Sequence, residues 1–420
     1  MAAVVTITPI GDSVASMINR GICSVQGDTD CDSAEVSDAS DSSDSDPSDE
    51  ERPIGFGKPV NDEEWGDRET TPLEDPPPLT DEEIEAGQDA AEDLRDALEY
   101  DGAAWYNPGS WFGPDSPADI INELTPGEIR AALDELDDDE IRELLEDEGA
   151  VDALLVRADL HLLNELNELA PDSVEPNISD VRTSDGDMPN NPAVDYGYVD
   201  HDLFGDDGPV VENIFQGSIA DCWWMASMGA LAHENPEVIE DMIEENANGT
   251  FTVTFPDGEN VTVTPFFPEQ QNGHVPELEN GDIAYAQPAG NAMWPMVLEK
   301  AMAERAGGYN ELVGGNPGTG MEDLTGADSE FHDGGDVSQS DLESWLDEDQ
   351  SVTLLTPSED DAEGALYDDG TLVPWHSYVV QSMDDSGNVT LYNPHGPGRE
   401  VTIHVDQLDQ VNEVQNVDPE

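Results

Sequence analysis

The chain has 420 residues, of which 99 are Asp or Glu and only 12 are Lys or Arg, for a formal net charge of −87. Such an excess repels itself apart at low ionic strength; near 1 M salt, where the Debye length is about 3 Å, that repulsion is largely screened. The absence of any basic patch argues against nucleic acid as a partner, and no run approaching ~18 uninterrupted apolar residues argues against a membrane span.

The carboxylates are spread through every segment, and the only lysines are Lys58 and Lys300. A chain-wide bias of this kind reads as adaptation to multi-molar salt, the mark of a halophilic source, rather than as a local site for basic proteins or calcium. The length leaves room for two or three domains. Cys23, Cys31 and Cys222 are too few for a disulfide framework and suit a reducing compartment. The start, Met1 to Pro9, lacks a basic n-region and a sustained apolar core. A cytoplasmic protein without a signal peptide is expected.

Residues 1–115 read as an acidic, largely disordered N-terminal region. The tract from Asp32 to Glu51 is almost wholly Asp, Ser and Glu, and buries too little apolar surface to order itself. Asp75-Pro76-Pro77-Pro78 is a stiff spacer. Thr80-Asp81-Glu82-Glu83 then opens a short helix near 80–100 with a capping-box pattern. Residues 116–170 form a small all-α module, in which Glu128-Ile129-Arg130 returns as Glu140-Ile141-Arg142 after a second capping start. Its stripe of Leu154, Leu155, Leu162, Leu163, Leu166 and Leu169 needs a partner to cover it. That stripe and its position suggest a propeptide or an arm that docks a partner. Residues 171–199 are the linker into a domain over 200–410.

That domain begins with a helix from Trp224 and a second over Pro236–Glu245 with Pro at its first position. Strands around Phe251–Phe255 and Val261–Val263 flank a hairpin signal at Asp257-Gly258. A helix covers residues 294–304, Gly314 to Gly320 is a loop, and a third helix lies near 340–347. The remainder is strand-rich, at 351–355, 377–383, 389–393 and 400–405. Helices first and strands later define an α+β domain of two halves.

Gln216-Gly217-Ser218-Ile219-Ala220-Asp221-Cys222-Trp223-Trp224 stands where irregular chain gives way to a run apolar on nearly every side, hence a buried helix. With Asp221 as N-cap, Cys222 falls in the first turn, where the helix dipole and unpaired N–H groups favour thiolate. Gln216 brings a side-chain N–H donor towards the place where an oxyanion would form. An ordinary buried cysteine is the competing reading, so the thiol needs a base and the base an orienter. Of eight histidines, His161, His201 and His233 suit solvated or packed roles, and His274 and His332 lie in loops. His376 stands at the mouth of a strand, and Asn393 ends the next, where its carbonyl would fix the imidazole tautomer. His395, in a Pro/Gly turn, is the rival base. A two-residue loop at Ser386-Gly387 leaves His376 and Asn393 about 13 Å apart along the strands at ~3.3 Å per residue, so their pairing requires a bulge or a longer loop.

Together these residues resemble the calpain family of papain-like cysteine endopeptidases. The resemblance is carried by Gln216-Gly217-x-x-x-Asp221-Cys222-Trp223, Trp294-x-x-Val297-Leu298-Glu299-Lys300-Ala301, Gly308-Tyr309, Met321-Glu322-Asp323-Leu324-Thr325-Gly326, His376-Ser377-Tyr378 and Asn393-Pro394-x-Gly396. They occur in the family's order across roughly residues 200–405. The resemblance implies a papain-like two-lobed core, a helical lobe plus an antiparallel β lobe, that cleaves protein or peptide substrates. It implies Cys222 as nucleophile, His376 as general base and acid, Asn393 as orienter, and Gln216 with the Cys222 backbone N–H as oxyanion hole. Ala220, Trp375 and His395 depart from the pattern, standing where the family has Gly, Gly and Trp. The chemistry requires no cofactor. The calcium that gates calpains does not transfer to this chain: no EF-hand loop is visible, no C2-like domain is expected, and no metal ligand set can be named. Two other readings keep the same fold, a catalytically silent binding or scaffold module and a papain-like acyltransferase.

Overall fold

The computed structural model describes residues 70–99, 115–178, 194–270 and 282–419. The acidic tract, Cys23, Cys31, His274 and the middle of the expected linker lie outside the described residues.

Among the described residues six helices come first: α1 (Asp81–Leu98), α2 (Pro117–Glu123), α3 (Pro126–Asp134), α4 (Asp138–Leu144), α5 (Glu148–Arg157) and α6 (Leu160–Leu169). Thr80, Ser116, Thr125 and Asp137 each accept from the backbone N–H three residues on, and the acid there reaches back to the cap's own N–H, so two orphan donors are satisfied per helix start. α1 does not stand apart from the helices that follow. Its Ala90, Ala91 and Leu94 share one core with Ile129, Leu144, Leu154, Leu163 and Leu166. The leucine stripe therefore finds its cover within the chain.

The remainder has two lobes. The helical lobe contains α7 (Cys222–Glu234), α8 (Pro236–Met242), α9 (Trp294–Ala306) and α10 (Pro317–Thr325). It also holds a three-stranded sheet of β2 (Ile243–Glu245), β3 (Phe251–Thr254) and β4 (Asn260–Val263), and a pair formed by β1 (Val194–Tyr198) with β5 (Phe266–Gln270). The second lobe is a six-stranded antiparallel sheet in the order β10-β9-β8-β7-β11-β6. Its strands are β6 (Glu330–Asp333), β7 (Ser351–Leu355), β8 (Ser377–Met383), β9 (Asn388–Tyr392), β10 (Val401–His404) and β11 (Glu413–Val417). Period-2 alternation divides its residues between two cores. Tyr378, Val380, Leu391 and Val414 face a core closed by Leu342 of α11 (Gln339–Asp347). Val379, Tyr392 and Val417 belong instead to the large core built around α7. Residues 223–232 of α7 are all buried, as a helix apolar on every side must be. The Gly-rich loop lets α10 approach it: a Cβ on Gly315 would run into the Trp223 ring, and one on Gly320 into Ser227.

The antiparallel and helical lobes agree with the expected α+β class, with differences at particular elements. The helix from Pro236 stops at Met242, because Ile243 to Glu245 leave it as β2 to pair with β3. The expected loop at 314–320 already contains the start of α10, where Asn316 accepts from Gly318 N–H and Pro317 takes the first position. β11 lies beyond residue 410 yet fills the place between β7 and β6, and β1 falls within the stretch read as linker. Gln415 and Asn416 mask the strand signal of β11; they are buried and bonded, Gln415 Oε1 accepting from Thr353 Oγ1 (3.0 Å) and Asn416 Nδ2 donating to Gln350 Oε1 (2.7 Å).

One buried charge pair ties the chain after α6 to the core. Lys300 Nζ on α9 donates to the Glu175 carboxylate, to Thr264 Oγ1 (2.8 Å) and to Phe266 O (2.6 Å), while Thr264 Oγ1 donates to Glu175 Oε1 (2.5 Å). Nearby, Tyr309 N–H donates to Asn177 O (2.9 Å), and Asn248 Nδ2 bridges Leu155 O and Ala158 O at the end of α5. Lys300→Met would leave Glu175 buried without its counter-charge, and is expected to cost about 3–5 kcal/mol in denaturant unfolding. The double change Glu175→Gln with Lys300→Met should recover part of that loss. A single variant as stable as the parent would show that the pair holds nothing.

Candidate active site

Cys222 is the first residue of α7 and is half-buried. Its Sγ lies 3.9 Å from Trp375 O and 4.0 Å from Ser377 Oγ, the residues on either side of His376. Among the described residues no hydrogen bond joins the thiol directly to the imidazole. The expected thiolate is not the resting form. Burial pushes the thiol up to about 11, and the neighbouring Asp221 charge adds to the push. Asp221 occupies the cap position but makes no side-chain cap bond, so its carboxyl does not satisfy the helix start as expected.

His376 and Asn393 meet. His376 Nε2–H donates to Asn393 Oδ1 (2.8 Å), and the same oxygen accepts from His395 N–H (3.0 Å). A backbone N–H can only donate, so the atom facing it must be the amide oxygen. That fixes the amide orientation, hence the proton on Nε2, and leaves Nδ1 as the basic nitrogen. Burial lowers His376 to about 4, against the opposing pull of Asn393, so the resting imidazole is neutral. The rival base, His395, packs 4.3 Å from the His376 ring and is likewise neutral, since burial pushes its pKa well below the ordinary value.

The sheet register explains the meeting. β8 and β9 are joined by a three-residue loop, Asp385 to Gly387, closed by Asp384 N–H to Asn388 O (2.9 Å), with Gly387 at φ +82°. A bulge at Gln381 follows, between the pairs Val380–Leu391 and Ser382–Thr390. Loop and bulge each advance the pairing by one residue, which carries Asn393 from opposite Val380 to opposite Tyr378, diagonal to His376. The Gln381 carbonyl accepts from His233 Nε2 (2.7 Å), near the far end of α7.

Gln216 is buried and faces inward. Its Nε2 donates to Ile219 O (2.7 Å), so the expected oxyanion donor is engaged in its own loop. That loop is docked on the other lobe through Gln216 N–H to Pro394 O (2.7 Å) and Tyr392 Oη to Ile214 O (2.7 Å). Behind the thiol lies a pair of carboxyls that sequence spacing did not reveal. Asp221 and Glu299 are fully buried and interact with each other, Asp221 also with Gln216 and Glu299 with the Ala286 N–H (3.0 Å). Asp221 Oδ1 and Oδ2 and Gln216 Oε1 find no ordinary donor among the described residues, so the cluster is satisfied when a carboxyl holds a proton. Burial raises Asp221 to about 7 and Glu299 well above its usual range.

Trp375, before the histidine, takes a left-handed backbone at φ +51°, a cost of roughly 1–2 kcal/mol for a residue with a Cβ. Glycine would adopt it freely, which accounts for a glycine at that place in the motif. Among the described residues no three His, Cys, Asp or Glu side chains converge as a metal-ligand group. No helix among them is long and apolar enough to cross a membrane.

A thiol from one lobe and an imidazole–amide pair from the other, facing across the seam, make this a papain-like cysteine protease fold. The family described as calpain family cysteine protease matches residues 198–414, and the chain belongs to it. Human calpain-8 is 34% identical over 134 residues, 30% of this chain and 18% of calpain-8. Calpain-A of Drosophila melanogaster is 34% identical over 128 residues, 29% of this chain and 15% of calpain-A. The human calpain-1 catalytic subunit is 28% identical over 137 residues, 30% of this chain and 18% of that subunit. The chain thus spans less than a fifth of the length of these relatives.

The carboxyl pair sets a pH dependence. A carboxyl whose folded pKa is raised contributes nothing below its ordinary range; above it, the unfolded chain releases the proton first and stability falls. Stability is therefore expected to decline as pH rises from the ordinary carboxylate range to about 7. Asp221→Asn should flatten that decline in unfolding curves measured at constant salt. An unchanged slope would place the proton elsewhere.

Proposed function

We propose that this chain is a cysteine endopeptidase that hydrolyses peptide bonds through Cys222, His376 and Asn393. The observation that carries the reading is the His376–Asn393 bond of 2.8 Å, which reserves Nδ1 for the thiol proton while the Cys222 sulfur lies between the residues flanking His376. In the proposed course, the thiol proton passes to His376 as sulfur bonds to the peptide carbonyl carbon. The oxyanion takes hydrogen bonds from the Cys222 backbone N–H and from Gln216 Nε2, which turns away from Ile219 O to reach it. His376 then gives its proton to the departing amine as the C–N bond breaks, leaving a thioester. Water, deprotonated by His376, splits the thioester into acid and free thiol, so the steps balance with water alone.

The neutral thiol and neutral imidazole at rest favour, as second reading, a silent module that binds peptides without cleaving them. Hydrolysis of unfolded protein in multi-molar KCl, with and without calcium, separates the two. The parent should cleave, Cys222→Ala should not, and His376→Ala should lose about 10²–10⁴ in kcat. Peptide binding without product in every condition would favour the module.

We read the charge of −87 as adaptation to molar salt and the sparse cysteines as a cytoplasmic setting. The helices before the core are then a fixed support rather than a removable propeptide, since Asn248 and Thr250 of the core bond to Leu155 O and Ala158 O at the end of α5. The melting temperature of the full chain should climb as KCl rises from about 0.1 M to about 2 M; a flat response would count against salt adaptation.

A further inference from the structure

We propose that Trp375 determines specificity at this site: its indole receives an apolar side chain of the peptide whose carbonyl reaches Cys222. The inference rests on the peptidase reading for its occupant and adds the class of side chain recognised.

Position comes first. The Trp375 carbonyl is 3.9 Å from Cys222 Sγ, and the next residue is the base. Any peptide bond brought onto the sulfur must pass beside residue 375. Among the described residues the indole is also the most open of the large apolar side chains, at 58% exposed. Of the others, Ile84 and Val156 lie on the N-terminal helices and Phe331 on the edge strand β6, so Trp375 alone of the four adjoins the thiol.

The fold does not account for a tryptophan there. The conformation of this loop is set by bonds to the backbone: Trp375 N–H to Pro357 O (2.8 Å), Val373 N–H to Tyr378 Oη (2.9 Å), and Thr356 Oγ1 to Val373 O (2.7 Å) and His376 O (3.0 Å). A glycine would make the same N–H bond without strain at φ +51°. The side chain adds little packing, being mostly in water, and its Cβ adds strain. Strain kept beside a reacting group points to use, and an exposed indole offers a rigid apolar face with little entropy to lose.

One argument favours an apolar occupant over a cation. In molar salt, charge attraction is screened over about 3 Å, whereas contact between apolar surfaces is not weakened in that way.

The test uses the full chain carrying Cys222→Ala, so that binding is read without turnover. Labelled pentapeptide amides with an alanine background, substituted at each position by Leu, Phe, Arg or Gly, are titrated by fluorescence anisotropy in multi-molar KCl. At one position Leu or Phe should bind about tenfold more tightly than Gly. That preference should vanish in Trp375→Gly and Trp375→Ala and survive in Trp375→Phe, while Trp375→Gly melts no lower than the parent. A preference unchanged in Trp375→Gly, an equal loss for every peptide, a preference for Arg, or no binding at all would each overturn the proposal. Running the same peptides on the chain with Cys222 intact separates the two levels of inference. Binding with the Trp375-dependent preference but no hydrolysis sinks the peptidase and leaves the contact; hydrolysis without that preference does the reverse.

Discussion

A helix with apolar residues on every side has no face to offer water, and enclosing it requires more than one layer of structure. α7 is such a helix. Its one buried hydroxyl, Ser227, donates within reach of Trp223 O (2.7 Å) and Pro317 O (2.8 Å) and so asks nothing of solvent. The helices α9 and α10 close it on one side, and the sheet closes it on the other by lending the residues of one face, Val379, Tyr392 and Val417. The seam between lobes follows from this shared burial. Because Cys222 begins the helix, enclosing α7 brings the thiol to the seam, opposite the strand that follows His376.

The same burial decides the electrostatics. A charge at a helix start gains about 0.3–1 kcal/mol from the dipole, less than the ~1.4 kcal/mol that one pKa unit represents. Desolvation is the larger effect here and carries the thiol from an ordinary 9.0 to about 11. The imidazole moves the other way for the same reason, to about 4. Two neutral partners cost little to bury. A charged pair would need donors aimed at the sulfur, and those that face it, from Ser377 and the Trp223 backbone, do not offset the cost of burial. The stability of the resting fold and the readiness of its nucleophile thus pull against each other at a single helix turn.

Much of this was legible in residue patterns. Capping boxes, Pro at helix starts and period-2 alternation named most helices and six of the sheet and hairpin strands within a residue or two, since each signal is local. The register between β8 and β9 was legible only as a requirement: the Ser386-Gly387 turn demanded a longer loop or a bulge, and both occur. β11 was not legible, because Gln415 and Asn416 earn their burial through bonds to distant Thr353 and Gln350. Glu299 stands in a recognisable motif, but nothing in the sequence puts it beside Asp221, a juxtaposition that folding alone creates. The thiolate expectation failed because helix position can be read from sequence and desolvation cannot.

The bulge at Gln381 has a consequence for how such chains are recognised. Asn393 lies 17 positions after His376, and only the extra residue in β8, held by His233, makes that count correct. Deleting one codon from this hairpin would turn Asn393 to the opposite side of the pleat while every motif residue kept its identity. A scan for Cys, His and Asn would score the shortened chain as complete. Relatives of this fold can therefore lose their chemistry through arithmetic alone, and the spacing between motifs carries information that the motifs do not.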